Sequence, residues 1–168
     1  MQAMALTCLL WLIFATVYDF RQRRVPNWLV LAGALVALAA LAFRVQPFGV
    51  DWMSALLGAG VGFAVLLLFY ALGLMGAGDV KFAGALGLWV GLPALASIWI
   101  AASLLAGVHG ALWLALRRWP LSPRLAVILT GPVPAAAGGA SPSRARFIPY
   151  AAYLALAAAA WMVWRRQS

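Results

Sequence analysis

The chain carries three acidic side chains, Asp19, Asp51 and Asp79, and no glutamate. Two of them stand at the edges of long apolar runs, where an ionisable group is costly and is a functional candidate by default. Asp19 closes the run from Met4 to Phe20, and Asp79 lies in Gly76-Ala77-Gly78-Asp79-Val80-Lys81. Two carboxyls sharing a site do not both ionise easily, so one holds a proton while the other acts as a base. Such a pair activates a water for attack on a peptide carbonyl and gives a proton to the leaving amine. That chemistry calls for no metal and no cofactor. The single histidine, His109, has no cysteine or carboxylate at ligand spacing, so no metal site is expected.

The residues around the two acids divide into functional and structural readings. Gly76 and Gly78 are expected to give the backbone positive φ and to let an extended substrate approach closely. Lys81 either marks a membrane face or stabilises an ionised Asp79. Asn27 and Tyr18 either hydrogen-bond near the site or anchor at the interface, and anchoring is the expectation for Tyr18. Gly76, Gly78, Lys81 and Asn27 are the expected supporting set. The structural alternatives are an Asp19–Arg23 pair one helical turn apart, and an Asp79 that pairs with Lys81 or caps a helix. Asp51, directly before the run that starts at Trp52, is expected to be a helix cap.

The elements that must position these groups are apolar helices. Of the 168 residues 67% are hydrophobic and 9% charged, whereas soluble domains average about 25% charged residues. Lipid must therefore solvate part of the chain. An all-α polytopic membrane protein with about six transmembrane helices follows, with spans near 4–20, 28–43, 52–74, 82–90, 94–116 and 147–164. Gly91-Leu92-Pro93 is a turn signal that divides the stretch from Phe82 to Leu116, leaving a short fourth span. Residues 119–146, rich in Pro, Gly, Ser and Arg, form an expected loop, disordered in its plainest reading. The N-terminus does not read as a cleavable signal, because its basic cluster follows the first apolar run. The glycines at 58, 60 and 62 and at 84, 87 and 91 suit close helix packing. The nine tryptophans suit anchoring and packing, Cys8 a buried or lipid-facing place, and His109 a helix–helix contact.

Charge sets the orientation. The net charge of +9 lies in short clusters between apolar runs, which is a topology signal and not a nucleic-acid surface. With Arg21, Arg23 and Arg24 in the cytoplasm, six crossings put Lys81, Arg117, Arg118, Arg124, Arg144 and Arg146 on the same side, leaving Arg44, Arg165 and Arg166 outside. That bias runs in the direction the positive-inside rule requires. Asp19 and Asp79 then share the cytoplasmic face and Asp51 falls on the other.

Tyr18-Asp19 with the following Arg21-Gln22-Arg23-Arg24-Val25-Pro26-Asn27, and then Gly76-Ala77-Gly78-Asp79-Val80-Lys81-Phe82, resembles the type IV prepilin peptidases. These are membrane aspartic peptidases with a Gly-x-Gly-Asp motif, and the presenilins and signal peptide peptidases share the paired motifs. Arg146-Phe147-Ile148-Pro149-Tyr150-Ala151 is similar to a further family feature. The resemblance implies that Asp19 and Asp79 are catalytic, and that a prepilin is cleaved just before its hydrophobic helix at the cytoplasmic face of the bacterial inner membrane. The length and the single cysteine resemble the short form found with Flp-type tight-adherence pili, which implies no methyltransferase activity and a possible link to pilus assembly machinery. The archaeal preflagellin peptidases are similar as well. Two other classes stay open at this point: a small proton-coupled transporter, which needs acids near the membrane midplane, and a non-catalytic assembly subunit of a secretion machine. Internal repeats, common in transporters, are not evident here.

Overall fold

A computed structural model describes residues 2–22, 24–118 and 149–167, the side chains of 116–118, 166 and 167 excepted. The described residues form helices only: α1 (Gln2–Gln22), α2 (Asn27–Ala42), α3 (Trp52–Ala71), α4 (Ala77–Arg118) and α5 (Tyr150–Gln167). Three segments are long and apolar enough to cross a membrane, Gln2–Gln22, Trp52–Ala71 and Ala77–Ala115, and Asn27–Ala42 is a shorter apolar helix. The expected loop at 119–146 lies outside the described residues.

Local chemistry sets the helix ends. Pro26, extended at φ −67° and ψ 144°, is the N-cap of α2. Its fixed φ and missing N–H suit a helix start. Asp51 caps α3, its Oδ1 accepting from Ser54 N at 3.3 Å, as expected from sequence. Both α2 and α3 end in Schellman turns. In α3, Gly73 (φ 72°) donates to Tyr70 O and Leu74 N donates back to Phe69 O. In α2 the same left-handed position is taken by Arg44 at φ 55°.

The expected turn at Gly91-Leu92-Pro93 is a chain reversal. Gly91 has φ 71° and ψ 171°, which breaks α4 into arms 77–90 and 92–118. A Cβ on Gly62 would meet both Ala83 O at 2.9 Å and Leu95 Cδ2 at 3.1 Å. Residues on either side of the break thus face the same turn of α3, so the second arm runs back along the first. Pro93 has no N–H to donate to Trp89 O. The buried Gln46 makes up that loss, donating from Nε2 to Leu88 O at 3.3 Å and Trp89 O at 3.4 Å. Nothing in the sequence reading singled out Gln46.

Glycines let α3 and the first arm of α4 approach backbone to backbone. A Cβ on Gly58 would lie 2.8 Å from Gly87 O, and one on Gly87 would overlap the Gly58 backbone. Packing is therefore the role of Gly58, Gly62 and Gly87. Gly60 departs from the expectation: its Cβ direction meets nothing within 4 Å. Two buried indoles tie α1 and α4 to α2. Trp11 Nε1 donates to Leu29 O at 2.8 Å, and Trp89 Nε1 donates to Gly33 O at 3.0 Å. Trp11 stacks on Phe82 with ring centroids 4.9 Å apart. The helix α5 packs against α4 and α1 through buried alanines, including Ala151, Ala152, Ala155 and Ala158.

Candidate active site

Asp19 lies in the last turn of α1 and Asp79 in the first turn of α4. Both are buried, with 3% and 8% of their surface exposed. They meet at the start of α5. Asp79 Oδ1 accepts from Ala151 N at 2.8 Å, and Asp19 Oδ2 accepts from Ala152 N at 2.8 Å. Pro149 O accepts from Tyr153 N at 3.4 Å, which makes Pro149 the N-cap and Ala151 and Ala152 the second and third helical residues. Amides at those positions have no partner within their own helix. Here two consecutive ones are used by carboxylates from two other helices, and the positive end of the α5 macrodipole points at both. Consecutive Cα atoms are only ~3.8 Å apart, so the carboxyls share one small patch.

The supporting residues are placed differently from the sequence expectation in one respect, the backbone of the two glycines. Gly76 N donates to Asp79 Oδ2 at 3.2 Å, and Asp79 N donates back to Gly76 O at 3.2 Å, a tight reciprocal turn. Neither Gly76 nor Gly78 has positive φ; among nearby residues that conformation belongs to Gly73. The glycines at 76 and 78 are thus not needed for a left-handed backbone. A Cβ on Gly78 would sit 3.6 Å from Val25 N, an ordinary contact that brings the segment after α1 against the Gly-x-Gly turn. Lys81, for which two readings were open, is exposed and donates from Nζ to Asn27 Oδ1 at 3.1 Å. That bond joins the starts of α2 and α4. The Asp79 carboxylate takes its bonds from backbone amides and not from Lys81. Asp19's proposed structural partner, Arg23, lies outside the described residues.

Asp51 is far from this patch. It precedes α3, whose 20 residues span about 30 Å, and Asp79 follows the other end. Cys8 is fully buried in the core. His109 lies against Tyr153 of α5, with ring centroids 5.8 Å apart. Among the described residues no group of three or more His, Cys, Asp or Glu could hold a metal ion.

Residues 6–111 match the type IV leader peptidase family. The chain belongs to this family. No curated protein and no solved structure gives a match. Membership makes the protein a leader peptidase of the type IV kind, a hydrolase acting on prepilin-like substrates, and its apolar helices make it a membrane protein. The matched segment of this leader peptidase contains both Asp19 and Asp79. The amides of Ala151 and Ala152 lie beyond it. Sequence reasoning singled out the segment from Arg146 to Ala151 as similar to a family feature but did not identify these amides as site groups, because a backbone donor is not encoded by residue type. Pro149 was the available signal, since a proline just before an apolar run marks a helix start.

Proposed function

We propose that this leader peptidase is an aspartic endopeptidase of six membrane crossings, with Asp19 and Asp79 as its catalytic pair. It removes the leader of a Flp-type prepilin at the cytoplasmic face of the inner membrane. One observation carries the reading: two buried carboxyls, 60 residues apart in sequence, accept from consecutive amides of a third helix. A structural acid pair would not need to converge in this way, and a midplane proton relay would not lie at helix ends. The six crossings count the two arms of α4 separately, and the reversal at Gly91 supports that count. With this topology the basic clusters give the cytoplasmic side to the acid pair.

In the reaction the ionised carboxyl takes a proton from water, and the water oxygen bonds to the scissile carbonyl carbon. The protonated carboxyl donates to the carbonyl oxygen. In the collapse of the gem-diol, the first carboxyl gives the proton it took from water to the nitrogen as the C–N bond breaks, and a hydroxyl proton returns to the second carboxylate, which restores the pair. The products are a leader carboxylate and a new amino terminus on the pilin. No methyl transfer is part of this scheme. Gly76, through its amide, and the Lys81–Asn27 bond hold the turn that carries Asp79.

The test is co-expression with a Flp-type prepilin, reading leader removal by gel shift for wild type, Asp19→Asn and Asp79→Asn. Each substitution is expected to reduce cleavage by at least ~100-fold, the scale of lost general acid–base catalysis, at unchanged membrane abundance. Processing that survives either change rejects the aspartic mechanism.

A further inference from the structure

The start of α5 has to hold two amides in register with two carboxyls, yet most of its packing face is alanine. Ala151, Ala152, Ala155, Ala157 and Ala158 are all buried. Tyr153, Leu154 and Met162 are the larger buried residues among them, so most of the side chains that key the register of this helix are single methyl groups, each making few contacts. A shift of one residue moves an α-helix by about 1.5 Å along its axis and turns it by about 100°. Either motion takes the amides out of hydrogen-bonding range, because such bonds weaken steeply beyond about 3.2 Å and at poor angles.

One polar contact acts against that motion. Tyr150, the first residue of α5, has its OH 3.0 Å from Ser103 Oγ on the second arm of α4. Tyr150 immediately precedes Ala151, and Ser103 belongs to the arm that doubles back beside Asp79's own arm. The bond therefore closes a loop of contacts: Asp79 to Ala151, through one peptide unit to Tyr150, and from its ring to Ser103 on the same α4 chain. Tyr153, one turn on, supplies an apolar counterpart. Its ring lies edge-on to Phe20, the neighbour of Asp19, with centroids 6.1 Å apart.

We propose that Tyr150 and Ser103 are positioning residues for the aspartate pair: their hydroxyl–hydroxyl bond sets the register of α5, and so the placement of the Ala151 and Ala152 amides on Asp79 and Asp19. The proposal rests on the reading of these two aspartates as the catalytic pair. Neither hydroxyl takes part in proton transfer to substrate. Their contribution reaches the reaction only through the two amides.

The test compares wild type, Tyr150→Phe, Ser103→Ala, the double variant and Ser103→Thr, purified in detergent. Two quantities are read: hydrogen exchange at the Ala151 and Ala152 amides, and kcat and KM for a purified Flp-type prepilin. Loss of one neutral hydrogen bond corresponds to about a threefold to tenfold effect. Exchange is expected to quicken by that factor in Tyr150→Phe and in Ser103→Ala, and by no more in the double variant. The value of kcat is expected to fall by the same factor with KM within about twofold, and Ser103→Thr is expected to recover most of both losses. Unchanged exchange at the two amides overturns the proposal, as does a double variant whose losses multiply or a loss confined to KM. Exchange needs no substrate, so it decides the register role even where the prepilin is not cleaved. Cleavage by wild type and its loss in Asp79→Asn decide the peptidase reading separately.

Discussion

Replacing Ala151 by proline removes one atom from the site and sets the ring Cδ in its place, so the Asp79 carboxyl loses a donor and must also draw back. The atom is the amide hydrogen that Asp79 Oδ1 accepts at 2.8 Å. Position 151 is the second residue of α5, where proline takes no intrahelical bond away and meets no preceding helical turn. The alanine side chain is already fully buried, so the added ring carbons have to displace neighbouring atoms, and some loss of stability accompanies the change. A hydrogen bond to a charged group contributes about 1.5–3 kcal/mol, which translates to a loss of about tenfold to ~140-fold in kcat at about tenfold per 1.4 kcal/mol. Ala152→Pro makes the equivalent change at Asp19 and is expected to fall in the same range. The assay is steady-state prepilin cleavage in detergent, with the thermal midpoint and the monodisperse fraction measured on the same samples. A folded Ala151→Pro protein that cleaves at the wild-type rate refutes the role given to this amide.

Three further outcomes follow from the same geometry. Gly91→Ala forces an L side chain into the essentially glycine-only region at φ 71° and ψ 171°, costing about 1–3 kcal/mol, and its Cβ meets Ser54 Oγ at 2.5 Å; a lower thermal midpoint is expected, with Ser54→Gly in the same chain recovering the part due to the contact. Gln46→Leu withdraws the donor from Leu88 O and Trp89 O but also removes the buried, unpartnered Oε1, so a net loss of about 1 kcal/mol is expected in a denaturation measurement. Gly78→Ala places a methyl at ordinary distance from Val25; normal stability with reduced cleavage is expected, since the added group narrows the approach of a substrate strand, and a fall in stability instead would assign Gly78 to folding.

The two aspartates were legible because acids are rare in this chain and both fall at the ends of apolar runs. The turn at Gly91 was legible from Gly-Leu-Pro, a combination that both permits a left-handed residue and denies an amide to the helix. The glycine contacts between α3 and α4 were legible as a spacing, though not residue by residue, because which glycines face the partner helix depends on rotation about both axes. That is why Gly58 and Gly87 touch and Gly60 does not. The backbone at Gly76 and Gly78 was misjudged for a related reason. Glycine permits positive φ but does not require it, and the left-handed residue needed to end α3 was supplied three positions earlier by Gly73. The partners of the acids were the least legible part. Ala151 and Ala152 act through amides that any residue but proline possesses, and Gln46 serves carbonyls exposed only once the chain has reversed.

The connection between Asp19 and Ala152 spans 133 residues and that between Asp79 and Ala151 spans 72. During synthesis α1 and the first arm of α4 emerge long before α5 does. Until α5 has been made and inserted, two buried-side carboxyls have neither of these amides to accept from. The pairing of these two carboxyls with their amide donors is therefore completed late in biogenesis, and on the function proposed above a ribosome-bound or truncated chain ending before Pro149 would enter the membrane without a completed site.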